Sequence, residues 1–227
     1  MSQGCCYIKI TNIILAFILF ACPATFAQTM QLPQKVIDRV QAENGDNAIQ
    51  RLKTWQSLIN DYQQAAELDK LRLVNQFFNK NVHYVPDQDV WAKRDYWATP
   101  LEFIVKNAGD CEDFAIAKYY TLKKLGVPIN KMRLTYARST KLGQAHMVLT
   151  YYENPQDEPL ILDNLTTDIL FASERPDLLP VYSFNGDGLW MTGSIAQKDT
   201  GTRIGKSGNR MRLWLNLNER MQKDGLK

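Results

Sequence analysis

Asn107-Ala108-Gly109-Asp110-Cys111-Glu112-Asp113-Phe114-Ala115-Ile116-Ala117-Lys118-Tyr119-Tyr120-Thr121-Leu122-Lys123-Lys124-Leu125-Gly126 holds the change of period that decides the fold class. Asn107-Ala108-Gly109 is a break. Phe114, Ala115, Ala117, Lys118, Tyr119, Leu122 and Leu125 then continue a helix up to Gly126, a natural C-terminal cap ahead of Pro128. The chain upstream of this stretch reads mainly as helix, and the chain downstream mainly as strand.

Upstream, Ile49, Leu52, Trp55, Leu58, Ile59 and Tyr62 recur at three- and four-residue steps, as do Leu68, Leu71, Val74 and Phe77-Phe78. Gly45 separates the first of these stripes from a shorter one at Val36, Ile37 and Val40. Asn81 to Pro100 reads as an aromatic loop, and Leu101 to Lys106 as a short helix. Downstream, Met132 to Arg138, Gln144 to Tyr152 and Pro159 to Asn164 are strand-like, with turn signals at Lys141-Leu142-Gly143 and Asn154-Pro155-Gln156-Asp157. Asp177 to Trp190 adds strand, Gly193 to Gly208 reads as a mobile loop, and the period of Arg212 to Met221 fits either strand or helix. Helices first and antiparallel strands later predict an α+β fold: a mainly helical lobe over 28–126 and a mainly β lobe over 127–227, forming one domain.

The first 27 residues read as an export signal. Lys9 supplies the positive start, Ile10 to Cys22 is mostly apolar, and Thr25-Phe26-Ala27 places small residues at the cleavage site. The chain has 227 residues, 27 of them basic and 24 acidic, a net charge of +3. That weak balance argues against a nucleic-acid binder, which carries a strong basic stripe. Three of the four cysteines, Cys5, Cys6 and Cys22, lie in the leader, so the mature chain keeps Cys111 alone and has no disulfide framework. A lone thiol in an oxidising compartment is a liability, and Cys111 sits among acidic neighbours rather than in an apolar run. Both points favour a working thiol.

Cysteine nucleophiles need a base to share the proton and a group to orient that base. Cys111 falls at a helix start, where backbone N–H groups and the helix dipole favour a thiolate and can bind an oxyanion. His146 lies within the second strand-like run, where alternation groups it with Val148 and Thr150. Asp163 ends the third run. Adjacent antiparallel strands can set this imidazole and carboxylate side by side, with a helix packed on the sheet supplying the thiol. Read singly, His146 fits a core histidine and Asp163-Asn164 a turn. The other histidine of the mature chain, His83, is read as structural, and Trp91 and Trp97 chiefly as packing residues.

With Gly109-Asp110-Cys111-Glu112-Asp113-Phe114-Ala115, Ala145-His146-Met147-Val148-Leu149 and Leu162-Asp163-Asn164, spaced 35 and 17 residues from Cys111 to His146 to Asp163, the chain resembles the LapG-type bacterial transglutaminase-like cysteine proteinases. The resemblance implies a papain-like, transglutaminase-type fold and a periplasmic endopeptidase with Cys111, His146 and Asp163 as its triad. It further implies a large repeat-type surface adhesin as substrate, cut near its N-terminus to disperse biofilm. An inner-membrane cyclic di-GMP receptor would act as inhibitor and calcium would bind beside the nucleophile.

Calcium also has an argument of its own. Asp110, Glu112 and Asp113 surround a thiol that must ionise, their charge raises its pKa, and a hard cation held by those oxygens offsets the effect. Alternatively, Asp110 and Asp113 form a variant capping box. Two rival functions share these residues: a transglutaminase-like acyltransferase with an amine in place of water, and a non-catalytic exported binding module. Zinc hydrolysis lacks convincing ligands.

Overall fold

A computed structural model describes residues 29–186, 189–191 and 208–226. The leader lies outside the described residues, as does the predicted mobile loop except for its last residue.

The chain opens with α1 (Gln34–Asp61), kinked at Gly45 (φ 75°), followed by α2 (Glu67–Asn81). Their buried stripes, Ile49, Leu52, Trp55 and Ile59 on α1 and Leu71, Val74 and Phe78 on α2, match the apolar period. The segment read as an aromatic loop carries more structure than expected. It contains β1 (His83–Tyr84) and a short helix, α3 (Asp87–Trp91), which follows Pro86, has Asp87 and Asp89 in its first turn, and ends where Ala92 turns left-handed. Next come α4 (Pro100–Lys106), opened by a Thr99/Glu102 capping box, β2 (Ala108–Gly109) and α5 (Cys111–Lys124). Gly126 (φ 85°) ends α5 with paired bonds, Gly126 N–H to Lys123 C=O and Val127 N–H to Leu122 C=O, as the sequence predicts.

The strands are β3 (Met132–Ser139), β4 (Gln144–Tyr151), β5 (Leu160–Leu162), β6 (Leu170–Phe171), β7 (Leu178–Phe184) and β8 (Leu189–Met191). They form one antiparallel sheet ordered β6-β5-β4-β3-β7-β8, while β1 and β2 pair separately and in parallel. The expected strand after Asp177 is thus the hairpin β7-β8. The undecided C-terminal segment is helix α6 (Gly208–Lys223), with Leu217 and Met221 buried one turn apart.

Helix α5 packs across β4 and β3, with α2 behind it. One buried cluster joins Trp55, Phe78, Phe103 and Leu122 of the helices to Leu134, Leu149 and Leu162 of the sheet. Each such side chain contributes about 1.5–3 kcal/mol on burial. A smaller cluster of Ala137, Val148, Ile161, Ala172 and Leu178 is separate from it. Strand alternation therefore sorts β4 in two: Met147 and Leu149 join the helix-facing core, and Val148 the smaller cluster. Helix α6 returns to the N-terminal helices, where Arg39 and Asp224 pair at 2.8 Å.

Candidate active site

The start of α5 is set by close packing at Gly109. A Cβ there would lie 2.4 Å from Asp113 Oδ2 and 2.7 Å from the Phe103 ring, so only glycine fits. Gly109 pairs with Tyr84, and its carbonyl accepts from Val85 N–H at 2.9 Å. Asp110 is extended, Cys111 begins the helix, and the N–H groups of the first turn have no partner within the helix itself. Asp113 braces the start from inside: Oδ1 accepts from Ala98 N–H at 2.7 Å and Oδ2 from Asp110 N–H at 3.4 Å.

Cys111 is the only cysteine among the described residues, and 9 % of it is exposed. Its thiol donates to Glu112 Oε2 at 2.9 Å, and its sulfur lies near the N–H of Met147 on β4. The expected lowering of the thiol pKa by the helix start does not hold in this arrangement. Burial, then the charges of Glu112 and Asp110, push the thiol well above its ordinary value, against the Met147 N–H.

His146, 2 % exposed, sits on β4 beside that same Met147. Its Nε2 lies 2.7 Å from Asp163 Oδ1, just past the end of β5. Burial would raise the Asp163 pKa, but hydrogen bonds from His146, Leu165 N–H and Arg175 outweigh it and hold the carboxyl down at about 2. An ionised carboxylate only accepts, so Nε2 carries a proton. The expected imidazole–carboxylate pair is therefore present. His146, Asp163 and Cys111 come from three elements that meet at one end of the sheet. Cys111 and His146 line one open cleft of about 210 Å³, walled by Tyr84, Trp97, Tyr136 and Gln144. Trp97 both packs, stacked on Phe184, and lines the cleft; Trp91 packs at a tilt against Tyr96 away from it. His83 is exposed on β1 and takes no part in the cleft.

The acidic residues expected around the thiol are joined by two that sequence reading missed. Carboxylate oxygens of Asp87, Asp110 and Asp113, and of Asp87, Asp95 and Glu112, form groups within 4.8 Å. Asp87 and Asp95 arrive because the β1-β2 pairing lays the segment after Tyr84 against Gly109-Asp110. Oδ1 of Asp87 and Oδ1 of Asp110 are buried with no hydrogen-bond partner. Burial, then Glu112 and Asp95 against the Tyr96 N–H, lift Asp87 to about 6; burial, then Glu112, Asp113 and Asp87, lift Asp110 to about 10. Crowded carboxylates with orphaned oxygens fit a hard cation bound by oxygen. Asp113 is the least available ligand, since both its oxygens accept backbone N–H groups.

The model of a family described as bacterial transglutaminase-like cysteine proteinases matches residues 40–184. Two solved structures of LapG from Legionella pneumophila are similar. The calcium-bound one is 43 % identical with a TM-score of 0.68, and the match covers 83 % of this chain and 98 % of that one. The EGTA-treated one is 42 % identical with a TM-score of 0.70, covering 83 % and 96 %. A comparison with curated proteins finds no match.

Proposed function

The chain belongs to the bacterial transglutaminase-like cysteine proteinases and has their mixed fold of helices and antiparallel sheet, and from that premise we propose that it is a calcium-dependent periplasmic endopeptidase with Cys111, His146 and Asp163 as its triad. Its substrate is a large repeat-type surface adhesin, cut near its N-terminus so that the adhesin is released and biofilm disperses. An inner-membrane cyclic di-GMP receptor holds it in check. The likeness to Legionella LapG and the export signal in the leader support this reading. The observation that carries the chemistry is a thiol at a helix start sharing one cleft with a histidine bonded to an ionised aspartate.

His146 Nδ1 takes the Cys111 proton, and the sulfur attacks the scissile carbonyl. Backbone N–H groups of the first turn of α5 receive the developing oxyanion. The C–N bond then breaks as the imidazolium protonates the leaving amine, leaving a thioester. Water, deprotonated by His146, hydrolyses the thioester and frees the thiol. Asp163 holds the ring through Nε2 and stabilises its charged form throughout. Asp87, Asp95, Asp110 and Glu112 would hold calcium, whose positive charge offsets the carboxylates that raise the thiol pKa.

Purified mature protein incubated with an N-terminal fragment of the adhesin tests the reading. Cleavage is expected for the native protein and is lost in Cys111→Ala and in a calcium chelator. Cutting by Cys111→Ala overturns the mechanism; persistence in chelator overturns only the calcium dependence. Incorporation of a labelled amine without cleavage identifies an acyltransferase instead.

A further inference from the structure

Asp163 is engaged on both oxygens. Oδ1 meets His146 Nε2 at 2.7 Å and Leu165 N–H at 3.1 Å, while Oδ2 accepts from Arg175 Nη1 at 2.8 Å. Arg175 is itself fixed. Its Nε and Nη2 donate to the two oxygens of Asp177, each at 2.9 Å, and the Asp177 carbonyl accepts Thr140 N–H at 2.8 Å from the turn after β3. The Asp163–Arg175 pair is almost fully buried, with side-chain exposures of 0 % and 9 %, whereas Asp177 keeps 22 %. A carboxylate bound on one oxygen alone can rotate about its last bond. With the second oxygen held by Nη1 of a guanidinium whose other edge grips Asp177, it presents Oδ1 to the ring in one orientation. The charged groups facing Asp163 are His146 from β4, Lys118 from α5 and Arg175 from the segment entering β7, with Asp177 behind Arg175.

We propose that Arg175 is a positioning residue for the proteinase: the Arg175–Asp177 fork fixes Asp163 so that His146 keeps its proton on Nε2 and offers Nδ1 to the thiol. The inference rests on the triad reading above. Loss of the fork leaves the substrate-binding cleft intact but loosens the base. The expected signature is therefore a kcat effect with little change in KM, and an acid limb of the rate profile moved to higher pH, because Asp163 then protonates more readily.

The test compares Arg175→Met, Arg175→Lys and Asp177→Asn in calcium-loaded mature protein, with the adhesin fragment as substrate and the low-field proton resonance of the His146–Asp163 hydrogen bond as a second readout. In Arg175→Met, kcat should fall about 10- to 100-fold with KM within about twofold, the range expected when a reacting group is displaced by an ångström or less. The resonance should shift or broaden. Arg175→Lys, which keeps the charge without the fork, should recover part of the rate. Asp177→Asn, at a more exposed position, should show the same trend at smaller amplitude and serves if Arg175→Met does not fold. Unchanged kcat per folded molecule and an unmoved resonance in the folded variants overturn the role of Arg175. An Asp163→Asn protein that cuts normally would instead overturn the triad itself, so the two failures are distinguishable.

Discussion

Cys111 shows how far one residue's chemistry depends on its neighbours. Placed at a helix start it should ionise easily, yet burial and the bond to Glu112 favour its protonated form. Gly109, two residues earlier, is what permits this crowding, because Asp113 and Phe103 occupy the space a side chain would need. Gly109→Ala should therefore destabilise the protein by about 1–3 kcal/mol, the usual range for overpacking a filled site. A lowered urea midpoint with an unchanged slope would show it. The motif around the thiol was legible because its residues adjoin in sequence. Asp87, Asp95 and Arg175 were not. The first two reach the site through a parallel pairing of two-residue strands, and the third through a short 3₁₀ turn at Ala172–Glu174 that carries no periodic signal.

Among the elements, α5, β3 and β4 could be read directly, since each has a cap or turn at its boundary and a clear period. Helix α6 could not be assigned. Its buried Leu217 and Met221 are spaced as in a helix, but the stripe is short and follows a polar, glycine-rich run. Its contribution to the site is equally hidden from sequence. Arg220 lies over the Tyr96 ring at 4.5 Å, donates to Tyr96 Oη at 2.7 Å and also reaches Glu102 and the Trp97 carbonyl. It thereby ties α6 to the segment that gives Tyr96 N–H to Asp87, Ala98 N–H to Asp113 and Trp97 to the cleft wall. Arg220→Met should lower stability by about 1–3 kcal/mol through the acceptors left without a donor. It should also raise KM as the Trp97 wall loosens. Arg220→Lys should restore little of either, because an ammonium cannot fork to separate acceptors in a plane. Denaturation curves and steady-state kinetics on the two variants measure this.

For the whole molecule, the acidic cluster predicts an unusual dependence of stability on pH. The folded-state pKa of Asp87 is raised to about 6 and that of Asp110 to about 10, so between pH 4 and neutrality the folded chain binds more protons than the unfolded one. Stability without a cation should then be highest at low pH and fall as pH rises through this window. Asp163 acts in the opposite sense: its contribution is present above about pH 4 and is lost as pH falls toward 2. Calcium should reverse the first trend, because its ligands must be ionised to bind it. Saturation to a hundred times Kd adds about 2.7 kcal/mol. Melting curves at pH 4.5, 6 and 7.5 in chelator and in calcium should therefore diverge as pH rises; parallel curves would exclude a cation at this cluster.

One contact in the site has a mechanical meaning. The sulfur of Cys111 lies near the Met147 amide, and the imidazole springs from the adjoining residue of that strand. Nucleophile and base thus share a single ruler. Flexing of the strand moves the base and the amide beside the sulfur together, whereas sliding of the helical layer over the sheet would change the spacing of sulfur and ring.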